Sequence, residues 1–85
     1  GTEEDYAERE IRKMKEEQKR QRKRLEELER ELQEMQEKKR EGTSDAKEVI
    51  DQLERIIREL QEIIRSQEDI TRKLEEIIRR MKENS

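Results

Sequence analysis

Apolar residues recur with a period of seven along the first half of the chain. They are separated by alternating steps of four and three residues, which is the a/d pattern of a coiled-coil helix. The inward positions of this pattern are Ala7, Ile11, Met14, Gln18, Gln21, Leu25, Leu28, Leu32 and Met35. Residues 11, 18, 25 and 32 occupy a, and the others occupy d. The pattern predicts a long helix with a seam only two positions wide.

The second half of the chain carries a wider apolar stripe with the same period. Its a and d positions are Ala46, Ile50, Leu53, Ile57, Leu60, Ile64, Gln67, Thr71, Leu74, Ile78 and Met81. A third apolar row lies beside them at g and consists of Val49, Ile56, Ile63, Ile70 and Ile77. A seven-residue period sustained over five heptads predicts left-handed supercoiling of the packed helices.

The segment EGTSDAKE is the only strong interruption of these patterns. Gly42 suits the left-handed conformation that ends a helix, and Asp45 with Glu48 has the spacing of a capping box. We therefore predict a first helix over about residues 3–41, a loop at 42–44 and a second helix over about 45–83. A connection this short makes the helices antiparallel neighbours, so residues 1–85 form one all-α helical hairpin.

The hairpin is not expected to complete its core alone. A seam two positions wide covers only part of a stripe three positions wide, and a large exposed apolar surface marks an interaction site. Self-association into a four-helix bundle dimer would cover the rest, with a six-helix, two-ring trimer as the alternative. The uninterrupted polar arc of the second helix favours the dimer. The large apolar residues of the first-helix seam and of the three rows of the second helix form the predicted core and oligomer interface.

Both helices replace apolar residues by polar ones once, and at the same height. If the hairpin folds about residue 43 or 44, Gln18 and Gln21 face the region of Gln67 and Thr71, with Ser66 at the margin. These five residues are named the polar layer. Because an unpaired buried amide costs about 1–3 kcal/mol, we predict that the layer forms a hydrogen-bond network that specifies register and oligomer state. The alternative is a hydrated gap between two apolar clusters.

Composition agrees with long helices and removes most catalytic chemistry. Charged residues make up 55% of the chain, yet the net charge is only −3. There is no Cys and no His, and no carboxylates converge at inward positions where a pKa could be tuned for acid–base work. We therefore expect no enzymatic activity, no cofactor, no metal and no small-molecule substrate.

The string KRQRKR at residues 19–24 resembles a nucleic-acid contact or an import signal. In the heptad frame its five cations occupy b, c, e, f and g, so they surround the helix rather than form one basic face. We therefore do not expect nucleic-acid binding. No apolar run is long enough to cross a bilayer and no targeting signal is visible, so localisation is unknown.

The Gly-Thr start, the idealised heptads IDQLERI and IRELQEI, the loop REGTSD and the confinement of inward polar residues to one level are together distinctive. In these features the chain resembles de novo designed helical-hairpin oligomers with buried hydrogen-bond networks. The resemblance covers the whole chain and implies a symmetric homo-oligomer whose purpose is assembly, produced as a soluble cytoplasmic protein in a heterologous host. Three alternatives are a natural coiled-coil interaction or tethering segment, one half of a designed heterodimer, and a basic-helix nucleic-acid binder.

Overall fold

The computed structural model describes residues 1–43 and 45–85, and these form two long helices. Helix α1 spans Thr2–Glu41 and helix α2 spans Ala46–Glu83, and the two pack antiparallel. The predicted all-helical hairpin is confirmed, with no strand among the described residues. Ser44, the last residue of the predicted loop, lies outside them. The molecule measures 63 × 16 × 12 Å.

The chain reverses at a glycine-terminated helix end, as the sequence predicts. Gly42 adopts φ 72° and ψ 21°, in the left-handed region. The amide of Gly42 donates to the Lys39 carbonyl oxygen at 3.1 Å, and that of Thr43 donates to the Lys38 carbonyl oxygen at 3.0 Å. This pair of bonds is a Schellman motif, which satisfies carbonyl groups that the helix leaves free. Asp45 then begins α2 by accepting a 3.2 Å hydrogen bond from the Lys47 amide.

The core of the hairpin uses one row of side chains from each helix. From α1 it takes the d row, in which Ala7, Met14, Gln21 and Leu28 are buried. From α2 it takes the g row, in which Ile56, Ile70 and Ile77 are buried. The row predicted to flank the seam of α2 is therefore the one that faces α1. A single partner helix presses only a narrow stripe of α2, so the neighbouring a and d rows remain largely uncovered.

Ten large apolar side chains stay at least 40% exposed, and they share one side of the hairpin. This surface is named the open apolar face. It comprises Ile11, Leu25, Leu32, Ile50, Leu53, Ile57, Ile64, Leu74, Ile78 and Met81. At a rise of 1.5 Å per residue, its α2 portion extends over about 47 Å. Soluble monomers rarely leave so long an apolar strip in water.

The opposite side of the hairpin is closed by ion pairs between the helices. Arg80 Nε lies 3.0 Å from a Glu3 carboxylate oxygen, Arg24 Nη2 lies 2.5 Å from Glu59, and Arg55 Nη2 lies 2.9 Å from Glu31. They join the g row of α1 to the c and f rows of α2. Each such pair contributes little to stability in water. Together they identify this side as the solvent side and leave the open apolar face opposite.

Replacing Gly42 by Ala should lower the free energy of unfolding by roughly 1–2 kcal/mol, the cost of the left-handed conformation for a residue with a Cβ. A Cβ added at this position would meet no other atom within 4 Å, so the loss would be conformational rather than steric. Urea unfolding at one fixed protein concentration measures it. Gly42→Asn is the matched control and should lose less, because Asn tolerates this conformation better. Equal stability of the Ala variant and the parent would contradict the expectation.

Candidate functional site

The polar layer contains a pair of glutamines that bind each other across the helices. Gln18 Nε2 donates to Gln67 Oε1 at 2.9 Å, and Gln67 Nε2 donates back to Gln18 Oε1 at 2.8 Å. The Gln67 amide nitrogen also donates to Gln21 Oε1. One α2 glutamine is thus hydrogen-bonded to both α1 glutamines of the layer. The two helices meet here through amides instead of apolar side chains.

Gln21 is the most enclosed member of this arrangement, with 6% of its surface exposed. Its amide nitrogen donates to Ser66 Oγ and, at 3.4 Å, to Glu17 Oε1. Ser66 Oγ in turn donates to Glu17 Oε1 at 3.4 Å. Glu17, Gln18, Gln21, Ser66 and Gln67 are named the hydrogen-bonded cluster. No buried side-chain nitrogen or oxygen in the described residues lacks a partner, so the cluster avoids the cost of an unpaired buried amide.

Thr71 is the one residue of the predicted polar layer that makes no side-chain hydrogen bond between the helices. Its hydroxyl donates to the Gln67 carbonyl oxygen, one turn back in its own helix, at 3.0 Å. The residue is exposed, because it occupies the a row of α2 and the hairpin buries the g row. Thr71 therefore lies within the open apolar face. The other four residues of the a row of α2 are isoleucines.

Glu17 joins the cluster although the heptad pattern places it outside the seam. It lies in the g row of α1, on the side with the interhelical ion pairs. A hydrogen bond from Arg20 lowers the pKa of the Glu17 carboxyl below its ordinary value, with smaller contributions from Gln21 and Ser66. The anionic carboxylate is therefore the form that accepts hydrogen bonds from Gln21 and Ser66. The spacing of four residues between Glu17 and Gln21 was the available sequence signal.

The KRQRKR string contains two ion-paired arginines and one buried glutamine. Arg20 pairs with Glu17 at 2.5 Å. Arg24 pairs with Glu59 and, at 2.7 Å, with Glu27, and these carboxylates raise the pKa of its guanidinium. Gln21, between them, points into the core. Two of the five cations are thus neutralised by nearby carboxylates, which weakens the field that a polyanion would meet.

Clefts elsewhere on the described residues are lined mainly by charged side chains. A shallow cleft of about 350 Å³ beside the cluster opens to solvent, and its lining mixes Glu17 and Glu59 with Arg20 and Arg24. Within residues 1–43 and 45–85, no group of acidic side chains is arranged to bind a metal ion. Neither described helix is long and apolar enough to cross a membrane. The open apolar face, with the cluster reaching its surface, is thus the candidate functional site.

Comparison of the chain with protein-family models, with curated proteins and with solved structures gives no match. We therefore infer function from the contacts and exposed surfaces of the chain itself.

Replacing Gln21 alone by Leu should lower the free energy of unfolding by about 1–3 kcal/mol, because Gln67, Ser66 and Glu17 lose a partner in a partly buried site. Replacing Gln18, Gln21 and Gln67 together by Leu should restore much of that loss, since the amides are then removed as a set. Chemical unfolding of both variants measures the difference. Gln33→Leu, at an exposed position, is the control and should change stability by at most about 0.5 kcal/mol. A single variant as stable as the parent would show that the cluster contributes nothing.

Removing the Arg20 guanidinium should raise the pKa of Glu17, since Arg20 is the largest cause of its lowering. Carboxyl-carbon NMR titration of the parent and of Arg20→Gln measures this. A carboxyl whose pKa is lower in the folded state stabilises the fold above its unfolded pKa, and this contribution is lost as the pH falls through the folded pKa. Ser66→Ala should raise the pKa of Glu17 by less than Arg20→Gln does. A larger shift from Ser66→Ala would reverse the assigned order of causes.

Proposed function

We propose that the chain is a structural self-assembly protein, whose copies associate through the open apolar face into a symmetric homo-oligomer. The observation that carries this proposal is the exposure of ten large apolar side chains along one side of the hairpin. A four-helix bundle dimer is the simplest closed form, because two copies place face against face. A six-helix trimer is the alternative closed form.

The surface area of the isolated chain supports association. It exposes 7104 Å². A compact monomer of this size exposes about 5,500 Å², so the excess is about 1,600 Å². A stable interface needs about 800 Å² from each partner. Half of the excess would therefore be enough, if it lies on the open apolar face.

A second copy of the chain suits this face better than a charged partner. Its two rows on α2 carry no ionisable side chain between Ile50 and Met81. Two such faces can meet without burying a charge, and burying an unpaired charge is the most costly error at an interface. The ion-paired sides of both copies would remain in water. The net charge of −3 adds only weak repulsion between copies.

The hydrogen-bonded cluster gives the proposed assembly its specificity. Gln18 and Gln67 lie at the edge of the open apolar face, and Thr71 lies on it. A slipped partner would place apolar side chains against these polar groups, which would then lose water without gaining hydrogen bonds. The cluster thus penalises wrong registers more than it stabilises the correct one.

We further propose that the sequence is engineered, with assembly as its purpose. Two helices of 40 and 38 residues run without a break, and both meet the turn with regular capping at Gly42 and Asp45. The seven-residue period, the turn chemistry and the caps all agree with one hairpin, which is the consistency that a designed chain is built to have. A natural tethering segment would share the open apolar face but would need a different occupant. Neutralisation of Arg20 and Arg24 argues against a nucleic-acid binder.

Size-exclusion chromatography with light scattering should give a single dimer or trimer whose mass does not change over a hundredfold dilution. Ile64→Glu should shift the chain toward monomer, because the carboxylate would be buried in the interface and Ile64 is 56% exposed in the hairpin. Gln33→Glu adds the same charge at an exposed position of α1 and is the matched control. It should leave the mass unchanged.

A folded monomer at all concentrations would contradict self-assembly. A parent chain that is aggregated or unfolded alone and becomes ordered only with another protein would favour the tethering segment or the heterodimer half. Retention on DNA that falls steeply with salt would favour the nucleic-acid binder.

A further inference from the structure

Two polar groups on the open apolar face keep hydrogen-bonding capacity that the hairpin does not use. A side-chain amide nitrogen has two hydrogens, and Gln18 Nε2 donates one of them to Gln67. The Thr71 hydroxyl donates to the Gln67 carbonyl oxygen and can still accept. Gln18 is half-buried and Thr71 is exposed, so water can satisfy both in the isolated chain. An assembly that covers the face removes this water and must replace it.

Thr71 lies in the row of the open apolar face that the hairpin covers least. The other members of its row, Ile50, Ile57, Ile64 and Ile78, are 53–56% exposed in the hairpin. The a row of α1 is less open, with Ile11, Leu25 and Leu32 at 40–42%. The a row of α2 is therefore the most exposed row of the face. A hydroxyl in that row loses its water when a second copy covers the face, and then needs a hydrogen-bond partner from that copy.

The polar residues of the face lie off the centre of the hairpin. The midpoint of α1 falls between residues 21 and 22, so Gln18 lies about 5 Å toward the amino terminus of its helix. The midpoint of α2 falls between residues 64 and 65, so the centre of residues 67–71 lies about 7 Å toward the carboxyl terminus. Since the helices are antiparallel, both displacements point to the end of the hairpin that carries the chain termini.

An antiparallel pair of copies would separate these residues. A twofold axis perpendicular to the helices moves each level of one copy to the same distance on the other side of the centre. With flush ends, the polar levels of the two copies would therefore lie about 10–14 Å apart. Thr71 would then meet the level of Ile57. Sliding the copies until the polar levels coincide would leave Ile50 and Leu53 beyond the end of the partner's α2. Either choice leaves polar groups against hydrocarbon or apolar groups in water.

We infer that the copies associate in parallel, about a rotation axis that runs along the helices, with all loops at one end. Rotation about such an axis keeps every residue at its own height, so the polar levels coincide without sliding. In a face-to-face dimer of this kind, α1 of one copy lies against α2 of the other. Gln18 of one copy then comes within about one helical turn of Thr71 of its neighbour and can donate its free amide hydrogen there. A cyclic trimer of hairpins aligned with its axis is parallel in the same sense.

This inference rests on the proposed self-assembly and is tested separately from it. The chain has no Cys, so one introduced Cys carries one spin label. Thr43→Cys labels the loop end and Ser85→Cys labels the opposite end, and both positions are exposed. Lys23→Cys, exposed and close to mid-height, is the matched control. Pulsed electron–electron double resonance then measures label separations in the oligomer.

In the parallel arrangement, the label at either end should lie within about 40 Å of the same label in the neighbouring copy, given helix spacings of about 10 Å. With flush antiparallel copies both separations would approach the 63 Å length of the hairpin, and with the polar levels aligned the separation of the loop labels would exceed that length; either result would overturn the inference. The control label should give a short separation in either arrangement, which shows that labelled oligomer is present. A monomer in light scattering, with no separation measurable for any label, would instead overturn the proposed self-assembly.

Discussion

A helix with three adjacent apolar rows can bury only one of them fully against a single neighbouring helix. In this chain α2 presses its g row against the d row of α1, and the side chains buried there include Leu28 at 2% exposure and Ile56 at 3%. The a row of α2 is left more than half exposed apart from Thr71. This division sets the other features of the molecule, because the ion-paired flank becomes the solvent side and the a and d rows of α2 become an exposed apolar surface.

The hydrogen-bonded cluster lies between the core of the hairpin and the open apolar face, and it contributes residues to both. Gln21 is enclosed by the hairpin and its bonds are complete within one chain, whereas Gln18 and Gln67 reach the open apolar face. Glu17 extends the same chain of hydrogen bonds to the solvent side, where Arg20 keeps it ionised. A cross-section of the hairpin at this level is thus polar from one side to the other. Above and below it, the contact between the helices is apolar.

The period and the turn chemistry of the sequence were enough to predict the hairpin, but not the rotation of α2 about its own axis. Gly42 and Asp45 marked the turn, and the seven-residue period identified both helices. All three rows of α2 are apolar, however, so periodicity does not decide which of them faces α1. In the structure Glu59 and Arg80 pair with the g row of α1 on the flank beside the g row of α2, and in the sequence those charges looked like ordinary surface residues. The same limitation left Thr71 misplaced relative to α1 and Glu17 unnoticed.

A uniform apolar stripe would not define the proposed assembly by itself. With a seven-residue period, a partner that slips by one heptad, or about 10 Å, meets equivalent side chains at nearly every level and loses only one end layer. Apolar burial is non-directional and scales with area, so such a slip costs only the burial of that end layer. The level of Gln18, Gln67 and Thr71 is the one place where a slip leaves hydrogen-bonding groups against hydrocarbon. In the proposed assembly, a few polar residues would therefore separate the registers, while the many apolar residues would supply the affinity that all registers share.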